Sequence, residues 1–266
     1  KKAGIAGLFH WRDGVAQKRH TFAMNPPWAS PETAPQPLAT ATALPARFYA
    51  DPAMAAADRD AIFDRSWQVI AHVCQLRNAG DHVVADLAGL PVIAVRGADG
   101  EISVFHNVCR HRAGPIAQCD GLAAKSLRCR YHGWTYGLDG VLKSAPEMRD
   151  VDGFEVSDVR LPQLRTRLWQ GLLFACTGTD PMPFDDLVAG IDARIGAERG
   201  LENYGHHQRV GYDVACNWKV YIDNYLEGYH VPHVHPKLNR MLDYRSYVTE
   251  TAQWHSLQWS PLESSD

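Results

Sequence analysis

The sequence predicts an α+β protein. A small all-β sandwich with ligand-bearing loops comes first, and the opening of a second domain, in which a helix packs on an antiparallel sheet, comes next. Three observations predict this. Short β-rich runs separated by Gly or Asp turns fill residues 68–107 and 134–176. A helical pattern follows at 217–229, where Trp218, Tyr221, Ile222 and Tyr225 recur at helical spacing. Between the two, the composition changes after Thr177, and Asp180-Pro181-Met182-Pro183 reads as a linker. The expected organisation is an arm at 1–45, a helix plus β domain at 46–178, and a partial second domain at 179–266.

Taken in order, the Pro/Ala-rich stretch from Met24 to Pro45 is a poor core former and reads as a disordered or draped arm. Residues 1–23 are expected to stand apart from the functional protein, and they lack the apolar core of a secretory signal. Residues 51–67 read as a helix, with Ala55, Ile62, Phe63 and Trp67 on one face and Asp58 and Asp60 on the other. Strands are expected at 68–74, 82–87, 91–96 and 102–107, with Ala98-Asp99-Gly100 as a hairpin turn. A second hairpin spans 134–143 around Asp139-Gly140, and 171–176 closes the sandwich. Beyond the linker, 187–199 reads as a helix and 207–215 as a strand. Strands at 244–250 and 253–260 complete what the chain holds of the second sheet.

Two runs carry chemistry in the first domain. Cys109-Arg110-His111 is followed, after 17 intervening residues, by Cys129-Arg130-Tyr131-His132. Each offers one thiolate and one imidazole. A Rieske [2Fe–2S] centre needs that inventory, since two Cys hold one iron and two His hold the other. Neutral imidazole leaves the cluster less negative than four thiolates would, which raises its potential. A structural zinc site is the alternative, although C-x-H is an awkward spacing for zinc.

The run Asn217 to Pro236 carries the second constellation. Gly228 and Pro232 break the helix, and His230, His233 and His235 follow on a bent segment. Non-haem Fe(II) sites use two His and one carboxylate on one face of the metal, and a bent segment can aim two imidazoles at one ion.

The stretch CRHRAG…CRYHGWTY closely resembles the Rieske domain of the ring-hydroxylating oxygenases, and DNYLEGYHVPHVHP resembles the mononuclear-iron motif of their α subunits. The resemblance covers roughly residues 45–263. It implies that Cys109, His111, Cys129 and His132 hold the [2Fe–2S] cluster and that His230 and His235 hold a mononuclear Fe(II). It implies that Glu227, where many relatives carry Asp, links His132 of one subunit to His230 of its neighbour in a homotrimer. Asn224 is a candidate pocket residue. His233 matches no ligand position. The family's third iron ligand is a downstream Asp. None of Asp243, Glu250, Glu263 and Asp266 matches it, so no third ligand is assigned, and the chain is expected to be the N-terminal portion of a longer subunit, inactive alone.

The implied activity is that of a terminal oxygenase, a mono- or dioxygenase. It takes electrons from NAD(P)H through a reductase or ferredoxin and uses O2 to hydroxylate or oxidatively dealkylate a small organic substrate. The second motif looks closer to choline-monooxygenase-like members than to the naphthalene type. That points to a quaternary-ammonium or other small polar substrate, with an aromatic one as the alternative, and Tyr244, Tyr247, Trp254 and Trp259 read either as a cation–π cage or as sheet core. Tyr131 and Trp134 are expected to pack around the cluster. Arg110, Arg112, Arg128 and Arg130 offer a docking face for an acidic donor or a subunit contact. A Rieske electron-transfer protein without oxygenase activity, and a zinc-stabilised binding module, are the competing readings.

Composition narrows the classes further. A hydrophobic fraction of 45% suits one large or two modest globular domains, and the net charge of −3 offers no basic excess for nucleic acid. No apolar run reaches the about 18 residues of a membrane helix. Cys74, Cys119, Cys176 and Cys216 are expected to be reduced in a cytoplasmic protein.

Overall fold

The computed structural model describes residues 31–37, 39–196 and 200–262. Expectations for residues 1–23 and for Met24, Arg199, Glu263 and Asp266 lie outside the described residues. The chain divides into two compact units between Ala57 and Asp58. In the first, α1 (Arg47–Ala50) buries Phe48. Helix α2 (Pro52–Ala61) opens there and runs on into the second unit. It starts at Pro52 because proline lacks only an N–H that a first helical turn leaves unpaired, and the Asp51 carboxylate accepts the Ala53 N–H at 2.9 Å. The expected helix over 51–67 ends early. A 3₁₀ turn at Phe63–Arg65 redirects the chain so that the Trp67 indole enters the core and donates to the Met182 carbonyl at 2.8 Å.

The β domain is built from three small antiparallel sheets. One runs β2 (His82–Leu87), β3 (Leu90–Arg96) and β4 (Ile102–His106), the first two joined by a tight turn. A second places β1 (Gln68–His72) beside β9 (Leu172–Cys176), which pairs in turn with β8 (Arg165–Trp169). The third holds β5 (Leu127–Arg128), β6 (Thr135–Tyr136) and β7 (Leu142–Ser144). Strand β3 is the hinge of the packing. Its side chains alternate, so Val92 and Ala94 join Ile70, Leu76, Val104 and Leu173 in one core, while Ile93 and Val95 join Phe105, Leu127, Trp134 and Leu161 in another. A strand buried on both faces reads as an unbroken apolar run, which is why PVIAV shows no polar alternation. The second core contains Cys109 and Cys129 themselves, so the sandwich presents both thiols from its own interior.

The chain after Cys176 departs from expectation in several places, and Tyr244–Ser246, expected to open a strand, is a 3₁₀ turn. The helix expected at 187–199 is two short ones, α3 (Phe184–Val188) and α4 (Ile191–Ile195). Gly190 separates them at φ 79°, a conformation that suits glycine. The strand expected at 207–215 does not form. This segment is a strap held by a side chain instead: the Arg209 guanidinium donates to the Ile70 carbonyl at 2.6 Å and the Val84 carbonyl at 3.0 Å. Next come α5 (Trp218–Tyr225), α6 (Val231–Val234) and α7 (Pro236–Asn239), then the hairpin of β10 (Val248–Thr251) and β11 (Ser256–Trp259). Among the described residues no helix is long and apolar enough to cross a membrane.

Candidate metal centres

The loops of the two Cys/His runs have the same backbone. Each Cys N–H donates to a carbonyl five residues on, Gly114 at 2.8 Å for Cys109 and Trp134 at 2.9 Å for Cys129. Each Cys carbonyl accepts an N–H four residues on, from Ala113 and from Gly133, both at 3.0 Å. That fourth residue takes positive φ in both loops, 55° at Ala113 and 75° at Gly133. Gly133 does so freely, whereas Ala113 is strained. Sequence-distant runs are thereby folded into matching cradles, and the His111 and His132 rings meet edge to face with centroids 4.5 Å apart.

The surroundings suit a metal cluster. His111 Nδ1 is buried and, among the described residues, is the one buried side-chain nitrogen or oxygen without a hydrogen-bond partner. Such an atom is costly to leave unpaired, and a metal is the partner that the donor set fits. Burial, with the facing His132 and Arg112 charges, pushes the His111 pKa down and keeps the imidazole neutral, the form that ligates. Trp134 is buried and stacks on His111 at 4.9 Å with planes 7° apart. Tyr131 lies against His132 at 3.8 Å but stays 63% exposed. Arg112, Arg128 and Arg130 are exposed around the loops, and Arg110 is half-buried.

Three residues with no role assigned from the sequence complete the cradle. The Tyr136 hydroxyl sits 3.3 Å from Cys109 Sγ and accepts the Arg110 N–H at 3.1 Å. Burial, reinforced by the neighbouring Cys109, drives its pKa far upward, so the phenol keeps its proton and can donate to a thiolate. Buried Asn107 braces the back of the first loop. It accepts from the Ile116 N–H at 3.0 Å and the Ala117 N–H at 2.9 Å, and donates to the Ala117 carbonyl at 2.8 Å. Buried Asp81 accepts from the Asn78 N–H at 2.8 Å and the Ala123 N–H at 2.9 Å, tying the segment between the cradles to the sheet. A polar residue closing an apolar strand, as Asn107 does, was the available signal.

The second constellation is set by α5. Asn217 caps it, accepting the Lys219 N–H at 3.0 Å. The Trp218 indole donates to buried Asp58 at 3.0 Å and meets Phe63 edge-on at 5.2 Å. Lys219 pairs with the same carboxylate. The helix stops at Tyr225, four residues short of the expected end. Glu227 follows, its carboxylate accepting the Tyr229 and His230 N–H groups and lying 2.5 Å from His230 Nδ1. His230 precedes α6 and His235 stands between α6 and α7, with ring centroids 5.2 Å apart. His233 is exposed on α6, and Asn224 is exposed on α5. Among the described residues no group of three or more His, Cys, Asp or Glu is arranged to hold one metal ion. Asp243 instead caps a 3₁₀ turn through the Arg245 N–H and the Ser246 hydroxyl, and Glu250 serves Arg194 and the Trp259 indole.

Comparison with known proteins agrees with this geometry. Residues 66–155 match the Rieske [2Fe-2S] domain family, and residues 201–263 match the ring hydroxylating alpha subunit (catalytic domain) family. The chain is 32% identical to choline monooxygenase of Arabidopsis thaliana, over 84% of this chain and 55% of that protein. It is 29% identical to the carnitine monooxygenase oxygenase subunit of Escherichia coli K12, over 88% of this chain and 61% of that protein. A crystal structure of the quaternary ammonium Rieske monooxygenase CntA with an inhibitor superposes with a TM-score of 0.77 at 28% identity, covering 83% of this chain and 61% of that one. The chain thus spans somewhat over half the length of these relatives. With a Rieske domain leading into ring-hydroxylating alpha-subunit sequence, the chain belongs to the Rieske oxygenase alpha-subunit family.

Proposed function

We propose that the protein is the terminal oxygenase of a multicomponent system. It uses O2 and electrons from NAD(P)H, delivered by a reductase or ferredoxin, to hydroxylate or oxidatively dealkylate a small quaternary-ammonium substrate. The observation that carries this reading is the paired cradle of Cys109, His111, Cys129 and His132, followed in one chain by the Glu227–His230 pair beside His235. Those first four residues would hold the cluster, and His230 with His235 the mononuclear iron. When bound, the cluster stores and hands on single electrons and the mononuclear iron activates O2 beside substrate.

The chain's own residues supply the rest. Glu227 accepts from His230 Nδ1, which fixes the ring and leaves Nε2 for a metal. A carboxylate has lone pairs for a second imidazole. Glu227 is half-exposed and His132 exposed, so both are free to meet across a subunit contact. This supports a homotrimer in which Glu227 bridges to His132 of the partner subunit. The solved carnitine-oxidising relative is described in terms of inter-subunit electron transfer. Exposed Arg112, Arg128 and Arg130 offer an acidic electron donor a complementary face. The cytoplasm suits the cysteines, all free.

The substrate class rests on likeness to the choline and carnitine monooxygenases. Two of the four aromatics expected to cage a cation have their polar groups engaged within the hairpin. Trp259 turns its indole N–H to Glu250 at 2.9 Å, and Tyr247 its hydroxyl to Gln258 at 2.5 Å. The test is O2 consumption by the full-length protein with a reductase and NAD(P)H, offered choline, carnitine and naphthalene in turn. Turnover of a quaternary ammonium supports the proposal. Turnover of the aromatic alone would replace the substrate class, and electron relay without O2-dependent product would leave an electron-transfer protein.

A further inference from the structure

The β10–β11 hairpin grips the segment between α5 and His230 at two points. The first is Gly228, which is buried although Glu227 and Tyr229 on either side are exposed. The Tyr247 ring lies against it so closely that a Cβ there would stand 2.6 Å from Tyr247 Cζ and 2.7 Å from Cε1. Only glycine permits that approach. The second point is the end of α5. The Tyr247 hydroxyl donates to Gln258 Oε1 at 2.5 Å, and the Gln258 amide donates to the Tyr225 carbonyl. Strand register explains why these two side chains meet. Val248 pairs with Trp259 and Thr249 with Gln258, so Tyr247 and Gln258 lie at one end of the ladder.

Glu227 lies between the two gripped points. Its carboxylate must satisfy two backbone N–H groups and the His230 ring together, and that requires a fixed backbone from Tyr225 to His230. We propose that Tyr247 and Gln258 are positioning residues that hold the Glu227–His230 pair in its hydrogen-bonded geometry. The proposal rests on the reading of His230 as an iron ligand.

The test uses the full-length holoprotein and the variants Tyr247→Phe, Gln258→Leu and their combination, with His230→Ala as the reference. The readouts are the Fe(II) dissociation constant of the mononuclear site and the line shape of its nitrosyl complex by electron paramagnetic resonance. The Rieske absorption monitors the fold. Partners that orient a ligand typically change metal affinity by 10–100-fold, and these act one residue further out, so each single variant should weaken Fe(II) binding about tenfold and broaden the nitrosyl signal. Both changes break the Tyr247–Gln258 bond, and Gln258→Leu also frees the Tyr225 carbonyl, so the double variant should be no worse than Gln258→Leu beyond about twofold. Rieske absorption should be unchanged. Wild-type affinity and line shape in both single variants, or additive losses in the double, would overturn the positioning role. Iron retained in His230→Ala would overturn the ligand assignment and this role with it. Iron lost in His230→Ala but held normally in the other variants overturns the positioning role alone.

Discussion

The Tyr136 hydroxyl lies 3.3 Å from Cys109 Sγ, with both residues almost fully buried. Strand β6 ends on Tyr136, so the phenol is carried on the sheet rather than on a mobile loop, and the Arg110 N–H fixes its oxygen from the other side at 3.1 Å. A hydrogen bond to a cluster sulfur stabilises the more negative, reduced cluster more than the oxidised one.

Tyr136→Phe should therefore keep the cluster and lower its reduction potential. A difference of about 1 kcal/mol in hydrogen-bond strength between redox states corresponds to ~40 mV for one electron. Potentiometric titration of the cluster measures it. An unchanged or raised potential would contradict the donor role.

The two cradles share a backbone but differ at their fourth residue, Ala113 against Gly133. An L-residue in the left-handed region loses about 1–2 kcal/mol, part of which glycine gives back through its freer unfolded chain. Ala113→Gly should thus stabilise the β domain by about 0.5–1 kcal/mol, and Ala113→Val should destabilise it. Urea unfolding followed by tryptophan fluorescence reads both. The same sign for the two variants would refute the matching-loop account.

Asp81 is 3% exposed, and its pKa is lowered by the Asn78 and Ala123 backbone donors, which outweigh the opposing effect of burial. A carboxyl whose folded pKa is depressed adds stability above its unfolded pKa of about 3.9 and loses it as pH falls through the folded value. Wild type should be more stable than Asp81→Asn near neutrality by about 1–3 kcal/mol, and the gap should close in acid below about pH 4. Denaturant unfolding of both proteins across that range tests it. A gap that widens with acid would show the sign to be wrong.

Glu227→Gln keeps the size of the side chain but replaces an acceptor oxygen with a donor. The variant should retain both metals and lose about 10–100-fold in turnover, in line with the loss of a carboxylate that orients a ligand. Steady-state O2 consumption alongside metal analysis checks this. Full turnover with normal iron would remove Glu227 from the reaction.

Much of this architecture is legible in the residues. Strand β2 falls where its pattern places it, and the Cys and His spacings lead to two cradles that bring His111 and His132 together. What stays hidden follows from side chains overriding local pattern. Residues 207–215 alternate like a strand, yet they lie exposed, with backbone groups open to water, and Arg209 ties them to the sheet through the Ile70 and Val84 carbonyls. Strand β8 went unseen because Arg165-Thr166-Arg167 presents exposed polar side chains at a sheet edge. Periodicity ran α5 on to Tyr229, but Leu226 caps it, and the backbone is then held by Tyr247 and Gln258 from far along the chain. A contact between residues so distant in sequence leaves no local signal at either one.

In the proposed function one chain carries two iron centres on two separate sets of residues. Iron and acid-labile sulfide per chain, measured on the full-length protein and on a His230→Ala/His235→Ala variant, test it most directly. The expected result is about three irons and two sulfides in the parent, by the stoichiometry of one [2Fe–2S] cluster and one mononuclear site, and about two irons with two sulfides in the variant. Zinc without sulfide in the parent, or an iron content that the double substitution leaves unchanged, would contradict it.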